Sequence, residues 1–208
     1  MVITLKTMLY NFYKKIKKNM ENKMTFDEGT NEITRSFIKM LNMAEEMFGK
    51  YENKYNFVGI EFRNTVPCIW FYPNDKVSIV LSTNSLVDFP NNPQLYFQLA
   101  HEACHLINLT KKENTLVLNE GISTYFSRIY QEIIYPDSTY AIEAIKNSIY
   151  YYAYLLVDKM LSYDREIIKK IRKICPDISK ITKDGMKRME KNLNDEEIEE
   201  LTKIFSYQ

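Results

Sequence analysis

With 208 residues, 45% of them apolar and 26% charged, the chain has the make-up of a globular protein. It is sized for one compact domain, or one domain with small helical additions, and it can bury a core without disulfides. A net charge of +1 gives no bulk attraction to nucleic acid, so no nucleic-acid partner is expected. Five glycines, with no G-x-G-x-x-G and no G-x-x-x-x-G-K-[ST], argue against a turn-rich sandwich and against a glycine-loop nucleotide binder.

Residues 1–24 are basic, with Lys6, Lys14, Lys15, Lys17, Lys18 and Lys23, and place Met8, Leu9, Phe12, Tyr13 and Ile16 at helical spacing. Most of the charge follows the apolar residues, which is the reverse of a signal peptide, and no stretch reaches membrane-spanning length. The expectation is a basic amphipathic helix packed on the domain; the alternative is weak contact with an anionic membrane or a partner protein. A second helix is predicted from Glu32 to Lys50, with Ile33, Phe37, Met40, Leu41, Ala44 and Met47 as its stripe. Phe57 to Arg63, Val66 to Tyr72 and Val77 to Ser82 are runs of β-branched and aromatic residues, with a turn at Pro73-Asn74-Asp75-Lys76. They predict a small sheet of three strands.

Helices are predicted from Gln94 to Asn108 and from Thr115 to Ile134, the second stopped at Tyr135-Pro136. A long apolar helix from Tyr140 to Tyr163 follows, then a basic one from Arg165 to Ile174 and a last one from Asn194 to Phe205 with acidic residues in its first turn. The expected fold class is α+β, mostly helical, with the small sheet ahead of the Gln94 helix. The expected organisation is 1–24 as the basic helix, 25–163 as the functional domain and 164–208 as a helical extension. The odd, widely spaced Cys68, Cys104 and Cys175 do not read as a disulfide framework and fit a reducing compartment, so a cytoplasmic location is expected.

Residues 101–105 read His-Glu-Ala-Cys-His. Four residues apart on a helix, His101 and His105 share one face and can offer two imidazoles to one ion, with Glu102 beside them. This is the H-E-x-x-H pattern of metallohydrolases, and it takes up both histidines of the chain. A catalytic zinc commonly takes three protein ligands and keeps a place for water. Glu120 is the candidate third ligand, on the next helix in Leu118-Asn119-Glu120-Gly121, with Glu113 and Glu132 as the nearest alternatives. A short connector brings such helices side by side. Cys104 lies off the face of the two histidines and is expected to be a small core residue.

H-E-x-x-H followed by N-E-G on the next helix resembles the gluzincin clan of zinc metallopeptidases, which includes thermolysin-like and aminopeptidase N-like enzymes. The likeness spans about Val77 to Leu161 and is specific at the two short motifs. It implies Zn2+ as cofactor, Glu102 as the general base and a peptide or protein as substrate. It also implies an edge strand over the cleft, for which Val77 to Ser82 is the candidate. Further on, the aminopeptidase-like group has an oxyanion-stabilising tyrosine followed three residues later by a small residue. Tyr150, with Ala153 after it, is similar, and Tyr151 or Tyr152 serves if the helix is rotated. The G-x-M-E-N strand of those aminopeptidases is absent, which leaves endo- and exopeptidase action both open. The expected function is a zinc-dependent peptidase; the alternatives are an effector protease with one protein substrate, or an inactive zinc-binding interaction protein.

Overall fold

The structure is a computed structural model that describes residues 32–50, 55–88 and 91–207; the basic segment 1–24 lies outside them. Helix α1 (Glu32–Phe48) forms around the buried stripe Phe37, Met40, Ala44 and Phe48, at steps of three and four residues. It stops at Phe48, two residues earlier than expected. Gly49 there takes φ +88°, and its N–H bonds to the Glu45 carbonyl at 2.8 Å, a left-handed cap that costs glycine little.

Three strands follow: β1 (Asn56–Arg63), β2 (Cys68–Tyr72) and β3 (Lys76–Ser82). The sheet order is β1-β3-β2, with β1 parallel and β2 antiparallel to β3. The expectation that Val77 to Ser82 forms the edge strand is therefore corrected: β3 is the central strand, and β1 and β2 are the edges. The reason lies in its composition. Val77, Ser78, Ile79, Val80 and Leu81 are all buried, so the run is covered on both faces and does not alternate as a half-exposed edge would.

Asn92 caps helix α2 (Pro93–Leu106) through its side chain, which accepts from the Gln94 N–H, and Pro93 sits at the first turn, where its missing N–H costs nothing. After a short 3₁₀ turn, Lys112–Asn114, comes α3 (Val117–Ile134). The single long helix expected from Tyr140 to Tyr163 is instead two, α4 (Tyr140–Lys146) and α5 (Tyr151–Tyr163). The break follows from local chemistry. The Asn147 Nδ2 donates to the Glu143 carbonyl, the Ser148 hydroxyl donates to the Ile145 carbonyl, and the Tyr150 N–H donates to Ser148 Oγ. Asn and Ser side chains thus compete with the helical backbone bonds.

Helices α6 (Ile167–Ile174), α7 (Lys183–Met189) and α8 (Asp195–Leu201) complete the described residues; α7 was not expected from the sequence. Their Ile168, Ile171, Met186, Ile198 and Leu201 join the same core as Phe37, Leu81, Leu99, Phe126 and Val157. The fold is mixed α+β, dominated by helix. Among the described residues, no helix is long and apolar enough to cross a membrane.

Candidate metal centre

Helix α2 is buried along most of its length, and it carries His101, Glu102 and His105 into the interior at its C-terminal half. Helix α3 supplies Glu120 in its first turn. Asn119 has a local task there: the Leu116 N–H donates to its Oδ1 at 3.2 Å, which satisfies a donor that the helix start leaves open. Gly121 has another. It faces α5, and a Cβ built on it would lie 2.5 Å from Val157 Cγ2 and closer still to the Ala153 carbonyl oxygen. In the string Asn-Glu-Gly, one residue caps, one faces the histidines and one lets α5 approach.

The three donor atoms converge. His101 Nε2 lies 3.2 Å and His105 Nε2 3.4 Å from Glu120 Oε2, and the two Nε2 atoms are 3.1 Å apart. Four-coordinate zinc with bonds of roughly 2.0–2.1 Å places neighbouring ligand atoms about 3.3 Å apart. The observed separations match one face of such a tetrahedron, and the residue types are those zinc prefers. His101, His105 and Glu120 thus form a buried group able to hold a metal ion. The other glutamates considered as third ligand lie elsewhere: Glu113 is exposed on the 3₁₀ turn, and Glu132 pairs with Arg128 at 2.8 Å. Cys104 is buried, outside the ligand group, and burial pushes its thiol up to about 12.

The electrostatics are those of a metal-free triad. Burial alone would lower the His105 imidazole, but the Glu120 carboxylate beside it outweighs that and raises it to about 9. Burial alone would raise Glu120, but His105 and His101 hold its carboxyl well below the usual range. Glu102 is buried next to the triad and has no hydrogen-bond partner among the described residues. Burial raises its carboxyl, the two histidines oppose this, and Glu120 adds to it. The Glu102 carboxylate is thus held away from bulk water beside the triad.

Tyr150 is the residue just ahead of α5, and its ring is 5.3 Å from that of His101. Its hydroxyl has no hydrogen-bond partner among the described residues. Burial first, then Glu120 and Glu102, push its pKa up from the ordinary tyrosine value, which keeps it a proton-bearing donor. Tyr151 and Tyr152 are exposed. The helix break at Asn147 to Tyr150 therefore brings Tyr150 to the triad and leaves the other two outside.

Sequence reasoning missed two aromatic residues. Tyr207 donates its hydroxyl to Glu120 Oε1 at 2.6 Å, and Phe205 stacks on Tyr150 with centroids 5.3 Å apart at 9°. Tyr207 is 87 positions from Glu120, so no local spacing relates them. The one signal available was the alternation Phe205-Ser206-Tyr207, which fits an extended segment better than the helix end assigned to Phe205.

Compared with models of known protein families, with curated proteins and with solved structures, the chain matches none, so the assignment of this centre rests on its residues and their geometry.

Proposed function

We propose that the protein is a zinc-dependent hydrolase with a zincin-like fold, acting as a peptidase on a peptide or protein substrate. The observation that supports this best is the set of three donor atoms 3.1, 3.2 and 3.4 Å apart, with the unpartnered Glu102 carboxylate on the same helix. His101, His105 and Glu120 would hold the ion. A zinc ion there supplies a Lewis acid and lowers the pKa of a bound water towards ~7.

The remaining work falls to the side chains. Glu102 takes a proton from the attacking water and hands it to the leaving amine as the C–N bond breaks. The free Tyr150 hydroxyl donates to the oxygen that gains charge on the substrate carbonyl. The substrate has a docking edge in β2, not β3. β2 is antiparallel, its far side is unpaired among the described residues, and its first residue, Cys68, feels the Glu102 carboxylate: burial raises the thiol first, and Glu102 adds to this. An extended peptide can add to such an edge by backbone hydrogen bonds.

The test is the zinc content of the purified protein beside His101→Ala and Glu120→Ala, with turnover of peptide and protein mixtures by Glu102→Gln. One zinc per chain, lost in the first two variants, is expected; Glu102→Gln should keep zinc and lose turnover. A wild type without metal, or full activity in Glu102→Gln, would refute this function.

A further inference from the structure

We propose that Tyr207 is a positioning residue of the metal centre, which fixes Glu120 as a ligand through a single oxygen. This rests on the reading of the triad as a metal site. Glu120 is 3% exposed, so neither carboxylate oxygen can rely on bulk water. Oε2 faces both histidines; Oε1 accepts the Tyr207 hydroxyl at 2.6 Å. The two oxygens have separate tasks, and the carboxylate cannot rotate without breaking the buried hydrogen bond. Ligating carboxylates depend on such outer partners for orientation and affinity.

The segment that delivers Tyr207 is tied to the site at several points. The Val117 N–H donates to the Lys203 carbonyl at 2.9 Å, and the Phe205 N–H donates to the Thr115 carbonyl at 2.8 Å. Leu116 and Ile204 form an antiparallel bridge between them. Residues 203–205 therefore run alongside the residues that lead into α3, three positions ahead of Glu120. Phe205 packs edge-on against Tyr207, with centroids 4.9 Å apart at 74°, and the Lys112 ammonium lies 4.2 Å from the Tyr207 ring centroid. The ring of Tyr207 is thus held independently of its hydroxyl. This also separates the two tyrosines of the site: the Tyr207 hydroxyl is committed to Glu120, whereas that of Tyr150 is free.

Because the ring is held by its own contacts, Tyr207→Phe in the full chain removes the hydrogen bond alone. Zinc affinity would be measured by competition with a chelator of known affinity, for wild type, Tyr207→Phe and the exposed control Tyr163→Phe. We expect Tyr207→Phe to bind zinc roughly 10- to 100-fold more weakly, with the control unchanged; metal-free thermal unfolding should fall modestly, since Glu120 Oε1 loses its donor. A second readout is the visible spectrum with Co(II) in place of zinc. With Oε1 released, the carboxylate can offer both oxygens, and the intense tetrahedral bands should weaken. Equal zinc affinity and identical cobalt spectra in wild type and Tyr207→Phe would overturn the role of Tyr207 and leave the metal site standing. A wild type that binds no zinc would overturn the metal site itself.

Discussion

Gly121 lies directly against Ala153, so close that the backbone of α5 occupies the space a side chain at position 121 would need. This contact joins the helix that carries Glu120 to the helix that Tyr150 precedes. In Gly121→Ala the obstacle is the Ala153 carbonyl, which is backbone and cannot swing away. Overpacking of this kind costs about 1–3 kcal/mol, more than the gain of up to about 1 kcal/mol from replacing glycine within a helix. Thermal unfolding of the metal-free variant should fall by about 5 °C. Turnover should fall further than stability, because moving α5 also moves Tyr150. An unchanged melting temperature would show that the two helices are not in this contact.

On the proposed function, zinc at the triad would compete with a proton on His105. With its imidazole raised to about 9, His105 is protonated at pH 7 in the metal-free protein, whereas a ligand imidazole is neutral. Calorimetry in buffers of different ionisation enthalpy should show about one proton released per zinc bound at pH 7. Apparent affinity should rise about tenfold per pH unit up to about 9. A pH-independent affinity between 7 and 9 would contradict the coupling of His105 to Glu120.

The same pair sets the pH range of the metal-free fold. A raised histidine contributes stability that is complete below its unfolded value of 6.5 and is lost as pH rises through about 9. A depressed glutamate contributes stability that is present above 4.5 and is lost as pH falls through its lowered folded value. The triad therefore stabilises the metal-free protein most between about 4.5 and 6.5. Excess zinc should move that maximum to higher pH, visible in melting curves recorded across the range. Identical optima with and without zinc would argue against binding at this triad.

In the proposed mechanism, a change at Tyr150 separates chemistry from metal binding. Its hydroxyl makes no hydrogen bond to a candidate ligand atom, so Tyr150→Phe should bind zinc as the wild type does. The ring contacts to His101 and Phe205 survive the change. Loss of an oxyanion donor lowers kcat by about 10²–10³, with little change in KM. Steady-state kinetics on any substrate identified would check this, and wild-type kcat would remove Tyr150 from the mechanism.

Arg172 anchors the end of α2, the helix that carries His101 and His105. Its Nη1 donates to the Ile107 carbonyl just past α2 at 2.8 Å and to the Gly49 carbonyl past α1 at 3.2 Å. It is 6% exposed, so Arg172→Ala leaves two carbonyls without this donor and a gap beside α6. We expect a loss of about 2–4 kcal/mol in denaturant unfolding. A loss below about 0.5 kcal/mol, the range of an ordinary surface substitution, would contradict this anchoring.

Much of this was legible in the chain. The apolar stripe of α1, the β-branched runs of the sheet and the Asn-Pro start of α2 are local signals, and they located those elements to within a few residues. The pairing of His101 with His105 was legible for the same reason, since helical geometry alone relates positions four apart. Glu120 was accessible because a short connector constrains where the next helix can go. The order of the strands was not, because pairing between strands is a long-range choice decided by which run can be buried on both faces. Nor was the break before α5, where Asn147 and Ser148 divert backbone bonds that an apolar pattern does not reveal.

By itself, then, the sequence determined which side chains can meet across one helical turn, and so named His101, Glu102 and His105. Only the tertiary structure decided that Tyr150, not its neighbours, faces the triad, and that Tyr207 returns from the far end of the chain to hold Glu120. Those contacts join residues with no fixed spacing. They depend on how whole helices pack and on where the segment after α8 is tied, which is information that no local periodicity carries.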